Sequence, residues 1–152
     1  MDRDKLKEKI QGFVPEATME DLKEFPAVTV TPGQLRDLVL KLRNEPDLSF
    51  DFLVSLTGVD WGKELGVVYH FESTVNKHMV EVKVKTADRE NPVIDTVCDI
   101  WRTAEFHERE VYDLLGIRFS GHPDLRKIFL DENWVGYPLR KDYVDDVNFV
   151  EL

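Results

Sequence analysis

The 152-residue chain is short of cysteine, of cations and of long apolar runs, and each shortage removes a class of function. Cys98 is the only cysteine. It can form no disulfide within the chain and supplies no thiolate cluster for zinc or an iron–sulfur centre, which suits a reducing compartment. Lysine and arginine total 20 against 30 aspartates and glutamates, a formal net charge of -10. A field of that sign repels nucleic acid and anionic membrane surfaces alike. The longest uncharged apolar runs, such as Phe52-Leu53-Val54 and Val67-Val68-Tyr69, fall far short of a bilayer span. Met1-Asp2-Arg3-Asp4-Lys5 opens on charge, not on an apolar signal region. Work at a membrane would therefore need a partner to hold the chain there. The glycine patterns of dinucleotide sites and P-loops are absent, and so is G-x-S-x-G, which withdraws the simplest grounds for proposing an enzyme.

What is present is a domain's worth of patterned sequence, with 42% hydrophobic and 33% charged residues. Leu6, Ile10 and Phe13 recur at helical spacing, and Phe25–Val30 reads as a brief strand. Thr31-Pro32-Gly33-Gln34 is a capping-box helix start, Leu35, Leu38, Val39 and Leu42 form its stripe, and Pro46 stops it. Three alternating segments follow: Phe50, Phe52, Val54 and Leu56, then Val67, Tyr69 and Phe71, then Val80, Val82 and Val84. Period two with polar residues between predicts an antiparallel meander with one wet face. A helical region is predicted from about Thr96 to Leu115, with Gly116 as C-cap. The fold class expected is α+β, a mainly antiparallel sheet packed with helices, followed by an extended C-terminal arm. The core domain is placed at residues 1–118 and the arm at 119–152. The arm shows no sustained period, yet Trp134, Tyr137, Tyr143 and Phe149 make it too aromatic for a disordered tail. It is expected to become ordered against another surface.

Candidate site residues cluster in the last third. On the helix, Ala104, Val111 and Leu115 share a face with Glu108 in its middle. A carboxylate aimed at a core is costly unless paired, so Glu108 is either an acid with a raised pKa or half of an ion pair. Arg126 or Arg140 is the expected partner, and Arg109 or Glu110 is expected to face another protein. His107-Glu108-Arg109-Glu110-Val111 begins like the zinc-protease pattern, but Val111 stands where the second histidine must be. The four histidines show no ligand spacing, and no metal or catalytic residue is assigned. In the arm, Arg126-Lys127 and Arg140-Lys141 are basic pairs among aromatics, a composition typical of interface anchors. Two other readings remain open: an independent hydrolase or lyase using Glu108, Glu110 and His122, and an interaction module unrelated to redox chemistry.

Three blocks in fixed order carry a resemblance. They are Glu108-Arg109-Glu110-Val111-Tyr112-Asp113-Leu114-Leu115-Gly116-Ile117-Arg118-Phe119, Gly121-His122-Pro123-Asp124-Leu125-Arg126-Lys127-Ile128, and Gly136-Tyr137-Pro138-Leu139-Arg140-Lys141-Asp142-Tyr143. Together they closely resemble the C-type subunit family of respiratory NADH-quinone oxidoreductase (complex I), over roughly Trp101–Tyr143. The resemblance implies a hydrophilic subunit of the peripheral arm, peripheral on the cytoplasmic side of the inner membrane and without membrane insertion. It implies docking on the D-type subunit, a relative of the hydrogenase large subunit near the quinone site, and on neighbouring iron–sulfur subunits. No cofactor is expected in this chain; iron–sulfur clusters and quinone belong to the partners, with flavin if NADH is the donor. Glu108, Arg109, Glu110, Asp113, His122, Arg126, Lys127, Trp134, Tyr137, Arg140, Lys141 and Tyr143 are the residues assigned to partner binding or structural ion pairs. The same family serves ferredoxin- and F420-dependent oxidoreductases and energy-converting membrane-bound hydrogenases.

Overall fold

The computed structural model describes residues 2–22, 24–145 and Asn148. Helix α1 (Arg3–Phe13) starts at Asp2, whose carboxylate accepts the Lys5 N–H at 2.9 Å, and it buries Leu6 and Ile10. Strands β1 (Thr18–Asp21) and β2 (Pro26–Val30) follow as a hairpin. Helix α2 (Pro32–Asn44) begins as its sequence predicts, with the Gln34 carboxamide accepting from the Thr31 N–H at 3.0 Å, and buries its leucine and valine stripe. Strands β3 (Phe52–Asp60), β4 (Leu65–Ser73) and β5 (His78–Thr86) form the predicted antiparallel meander. The sheet order is β1-β2-β5-β4-β3, and only the β2–β5 pairing is parallel, so the sheet is mixed with three antiparallel pairings of four. A short parallel pair, β6 (Val93–Asp95) and β7 (Arg118–Ser120), brackets helix α3 (Ala104–Leu115).

Inward side chains of β4 and β5, Val67, Tyr69, Phe71, Val80, Val82 and Val84, are fully buried in one core with residues of all three helices. Burial at about 25 cal/mol per Å² of apolar surface makes this core the main source of stability.

Two local expectations fail, each for an identifiable reason. Strand β3 does not alternate strictly: its register shifts between Leu53 and Ser55. Phe50 and Leu56 point inward as the period-two assignment expects, but before the bulge Leu53 takes the inward place and Phe52 and Val54 are exposed. The helical region is also shorter than 96–115. Residues 93–95 are strand, and Thr96 and Val97 form a turn in which the Thr96 hydroxyl accepts the Cys98 N–H at 3.1 Å. The Trp101 indole then bonds the Phe50 carbonyl at 3.1 Å, which fixes that segment to the core before α3 begins.

Residues 121–145 contain no helix or strand. The end of the arm, including Phe149, lies outside the described residues. No helix among the described residues is long and apolar enough to cross a membrane.

Candidate functional site

Helix α3 is the centre of the candidate site, because one face meets the sheet and another meets the segment that follows it. Gly116 ends the helix in the left-handed conformation, at φ +76°, and its N–H bonds the Tyr112 carbonyl at 2.9 Å. No other residue fits there: a Cβ on Gly116 would lie 2.5 Å from the Tyr137 ring.

On the sheet side Glu108 is completely buried. The Thr96 hydroxyl donates to one carboxylate oxygen and the Val97 N–H to the other, at 3.1 Å. Both donors are neutral, and burial pushes the carboxyl up to about 7. The expected ion pair with an arm arginine is not formed. Arg126 bonds Asp124 at 3.0 Å, and Arg140 donates to the carbonyls of Leu115 at 2.7 Å and Arg89 at 2.8 Å. The arm arginines are spent on Asp124 and on the Leu115 and Arg89 carbonyls, and the arm side chain that comes near Glu108 is His122.

A neighbouring face of α3 holds Arg109 and Asp113, one turn apart and both buried. Arg109 donates to the carbonyls of Arg126 at 3.2 Å and Lys127 at 3.1 Å. One oxygen of Asp113 accepts three consecutive N–H groups, from Ile128 at 3.2 Å, Phe129 at 2.7 Å and Leu130 at 3.0 Å. A strip of arm backbone is thus satisfied donor by donor and acceptor by acceptor without a strand partner. Arg109 therefore faces its own chain, whereas Glu110 is exposed.

The rest of the arm is pinned in the same manner. His122 lies over the start of α3, its Nε2 2.8 Å from the Glu105 carbonyl, while its Nδ1 accepts the Asp124 N–H at 3.0 Å. Lys127 reaches the Trp134 carbonyl at 2.9 Å, and the Arg140 guanidinium lies 4.9 Å from the Tyr137 ring centre. The Tyr143 hydroxyl bonds Asp145 at 2.8 Å. Asp60, at the end of β3, accepts the Lys141 N–H at 2.9 Å. Arg89 clamps the same carboxylate at 2.7 and 2.8 Å, and this contact holds Asp60 well below the usual carboxylate range.

Asp60 and Arg89 were not among the sequence candidates. Asp60 has a signal, a carboxylate at an inward-facing end of a strand, but Arg89 sits in a loop with none. A second grouping also escaped the sequence: Cys98, Glu108 and His122 bring potential ligand atoms within 4.8 Å of one another. Glu108 and His122 are already committed to the hydrogen bonds above, and burial pushes the Cys98 thiol up, away from the thiolate that binds metals. Of the groups proposed for a hydrolase, Glu110 lies on the surface while Glu108 is sealed inside.

Among the side chains this arrangement leaves outside are several large apolar ones. With the arm's polar backbone turned onto α3, Phe129 remains 64% exposed, Phe106 of α3 60% and Leu139 60%. Large apolar side chains left in the open are candidates for contact with a partner.

Residues 28–147 match the family described as the respiratory-chain NADH dehydrogenase, 30 Kd subunit. The chain belongs to this family. It is 52% identical over 131 residues to the C/D subunit of NADH-quinone oxidoreductase from Phocaeicola vulgatus, covering 86% of this chain but 24% of that protein. The chain thus spans about a quarter of the length of the C/D relatives it matches. It is 40% identical over 144 residues to the C subunit of NADH-quinone oxidoreductase from Chlorobium phaeobacteroides, covering 93% of this chain and 83% of the relative. Among solved structures, a chain from the membrane-bound sulfane sulfur reductase (MBS), an archaeal respiratory membrane complex, superposes with a TM-score of 0.71 at 26% identity. That match covers 93% of this chain and 85% of the other.

Proposed function

We propose that this member of the complex I C-type family is a non-catalytic, cofactor-free docking subunit of an NADH-quinone oxidoreductase. Its task is to seat a D-type partner beside the quinone site while the partners carry the iron–sulfur clusters, the quinone and, with NADH as donor, the flavin. The observation that carries this reading is the exposure of the apolar side chains Phe106 on α3 and Phe129 and Leu139 on the arm, while arm backbone groups are bonded by Arg109 and Asp113. Exposed apolar side chains on a chain of net charge -10 suit protein docking far better than nucleic acid or lipid. Relatives named as combined C/D subunits support a D-type protein as the neighbour. In this reading the chain lies peripherally on the cytoplasmic side of the inner membrane, held there by its partners. Equivalent places in ferredoxin- or F420-dependent oxidoreductases or hydrogenases fit the fold equally; identity of 52% to an NADH-quinone oxidoreductase component favours the first.

The test is to tag the chain, purify it from native membranes and identify what accompanies it by mass spectrometry. A D-type subunit, iron–sulfur subunits and a flavin-bearing NADH-oxidising subunit are expected, and the isolated recombinant chain is expected to be colourless and inactive. Turnover by the isolated chain overturns the proposal.

A further inference from the structure

The two edges of the main sheet are treated differently. Edge strand β1 is four residues long and polar, with Asp21 bonded to Lys7 at 2.8 Å and Glu20 3.6 Å from Lys83. Short charged edges resist pairing with another chain. Edge strand β3 is nine residues long and carries Phe52 and Val54 in the open, 47% and 43% exposed. Among the described residues, the backbone of β3 bonds only to β4, so its outward amides and carbonyls have no protein partner.

Beside this edge lies a cavity of about 120 Å³ whose walls are Leu56 and Gly58 of β3, Val111 and Leu114 of α3, and Leu139 of the arm. Gly58 is needed to let α3 approach, since a Cβ there would lie 2.5 Å from a Leu115 methyl. The exposed carboxylate of Glu110 also lines it.

We infer that the free edge of β3 and this apolar notch receive an extended segment of the D-type partner, which adds a sixth strand to the sheet. The segment places one aliphatic side chain in the notch and a lysine or arginine opposite Glu110. Strand addition explains why a long apolar edge is left open: main-chain bonds supply the hold, and the notch and Glu110 select the sequence. Charge decides the occupant. A second copy would set another chain of net charge -10 against this edge and beside Glu110. A partner joined to the same polypeptide in relatives is present at high effective concentration. This inference rests on the proposed docking function.

Hydrogen exchange on the isolated chain and on the native assembly tests it. Amides of Phe52–Val59 that exchange readily in the isolated chain are expected to slow by about tenfold or more in the assembly. Glu110→Lys is expected to weaken retention of the D-type subunit by about tenfold at low salt, an effect that shrinks as salt rises. Val75→Lys, a charge placed at an exposed turn on the other end of the hairpin, serves as control and is expected to change nothing. An assembly that forms with unchanged exchange across Phe52–Val59 overturns the strand addition and leaves the docking function standing. Protection of that edge in a homodimer overturns the choice of occupant. No association with a D-type subunit at all overturns both readings.

Discussion

The β4–β5 ladder and residues 121–145 solve the same problem in opposite ways. In the ladder, Leu65 to Ser73 pair residue by residue with Thr86 to His78, so the backbone satisfies itself and the inward side chains are free to be wholly apolar. In the arm the backbone has no strand to pair with, and side chains of Arg109, Asp113, Lys127 and Asp60 do the pairing. The first region is held by a pattern spread over many residues. The second is held by a few charged groups, of which Arg109 answers two backbone atoms and Asp113 three. Loss of a core side chain should therefore weaken the whole fold, whereas loss of an arm clamp should release the arm and leave the fold in place.

The largest effect is expected in the ladder. Phe71 is fully buried, 5.7 Å between ring centres from Tyr69 and 4.4 Å from Trp101. Phe71→Ala should lower the free energy of unfolding by about 4 kcal/mol, a typical figure for a large core aromatic. Urea denaturation followed by tryptophan fluorescence should show one cooperative transition at a lower midpoint. A variant whose arm comes off first while the sheet persists would break the comparison.

Next comes Asp113→Ala. Three part-buried N–H groups lose their acceptor at once, which should cost about 3 kcal/mol. The cost should fall on the arm: amides of Ile128–Leu130 should exchange fast while those of β4 and β5 stay protected. Asp113→Asn, which keeps an acceptor oxygen but not the charge, should recover part of that protection. Equal loss across arm and sheet would show that the two regions fold as one unit.

The same contrast explains what the sequence made legible. Period two announced β4 and β5, and a capping box announced α2, because each of those signals repeats over several residues. Strand β3 misled because a single bulge at Val54 inverts its parity, and a bulge leaves no mark in an alternating pattern. In α3 the helical wheel placed Glu108 inward, as found, yet pointed to the wrong partner. A wheel gives the direction of a side chain but not what stands in front of it, here a neutral hydroxyl and an N–H from the 96–97 turn. Asp113 and Arg109 were picked out by family resemblance, and their role as clamps for irregular backbone became visible only in three dimensions. Arg89 had no local signal at all, since its partner Asp60 is 29 residues away.

A pH titration sharpens the comparison, since Glu108 is a charged-type group placed in the apolar region. Its ordinary value is 4.5 and burial raises it to about 7, so the folded state keeps the proton more tightly than the unfolded state. Below 4.5 both states are protonated and the group is neutral to stability. Between 4.5 and 7 the unfolded chain releases the proton first, so stability falls as pH rises, and above 7 the loss is complete. The full loss is on the order of 3 kcal/mol. Glu108→Gln, which mimics the protonated acid, should remove this slope and make the protein more stable than wild type at pH 8. A wild-type stability that is flat from pH 5 to 8 would mean that Glu108 stays ionised in the fold.

The smallest effect tests whether the core is as apolar as the comparison requires. The Tyr69 hydroxyl is fully buried and has no hydrogen-bond partner among the described residues. Burial, reinforced by the nearby Glu108 carboxylate, holds its phenol well above the ordinary value, so it stays neutral. An orphaned hydroxyl contributes a desolvation cost and no bond, so Tyr69→Phe should leave stability unchanged or raise it by up to about 1 kcal/mol. The ring itself is retained, and with it the stacking on Phe71. Thermal denaturation at pH 5 and pH 8 measures both the change and its independence of Glu108. A loss of more than about 1 kcal/mol would mean that an ordered water bridges the hydroxyl to a polar neighbour. The interior beneath β4 would then be a polar network anchored on Tyr69 and Glu108, and the sharp division between an apolar ladder and a polar clamp would fail at its centre.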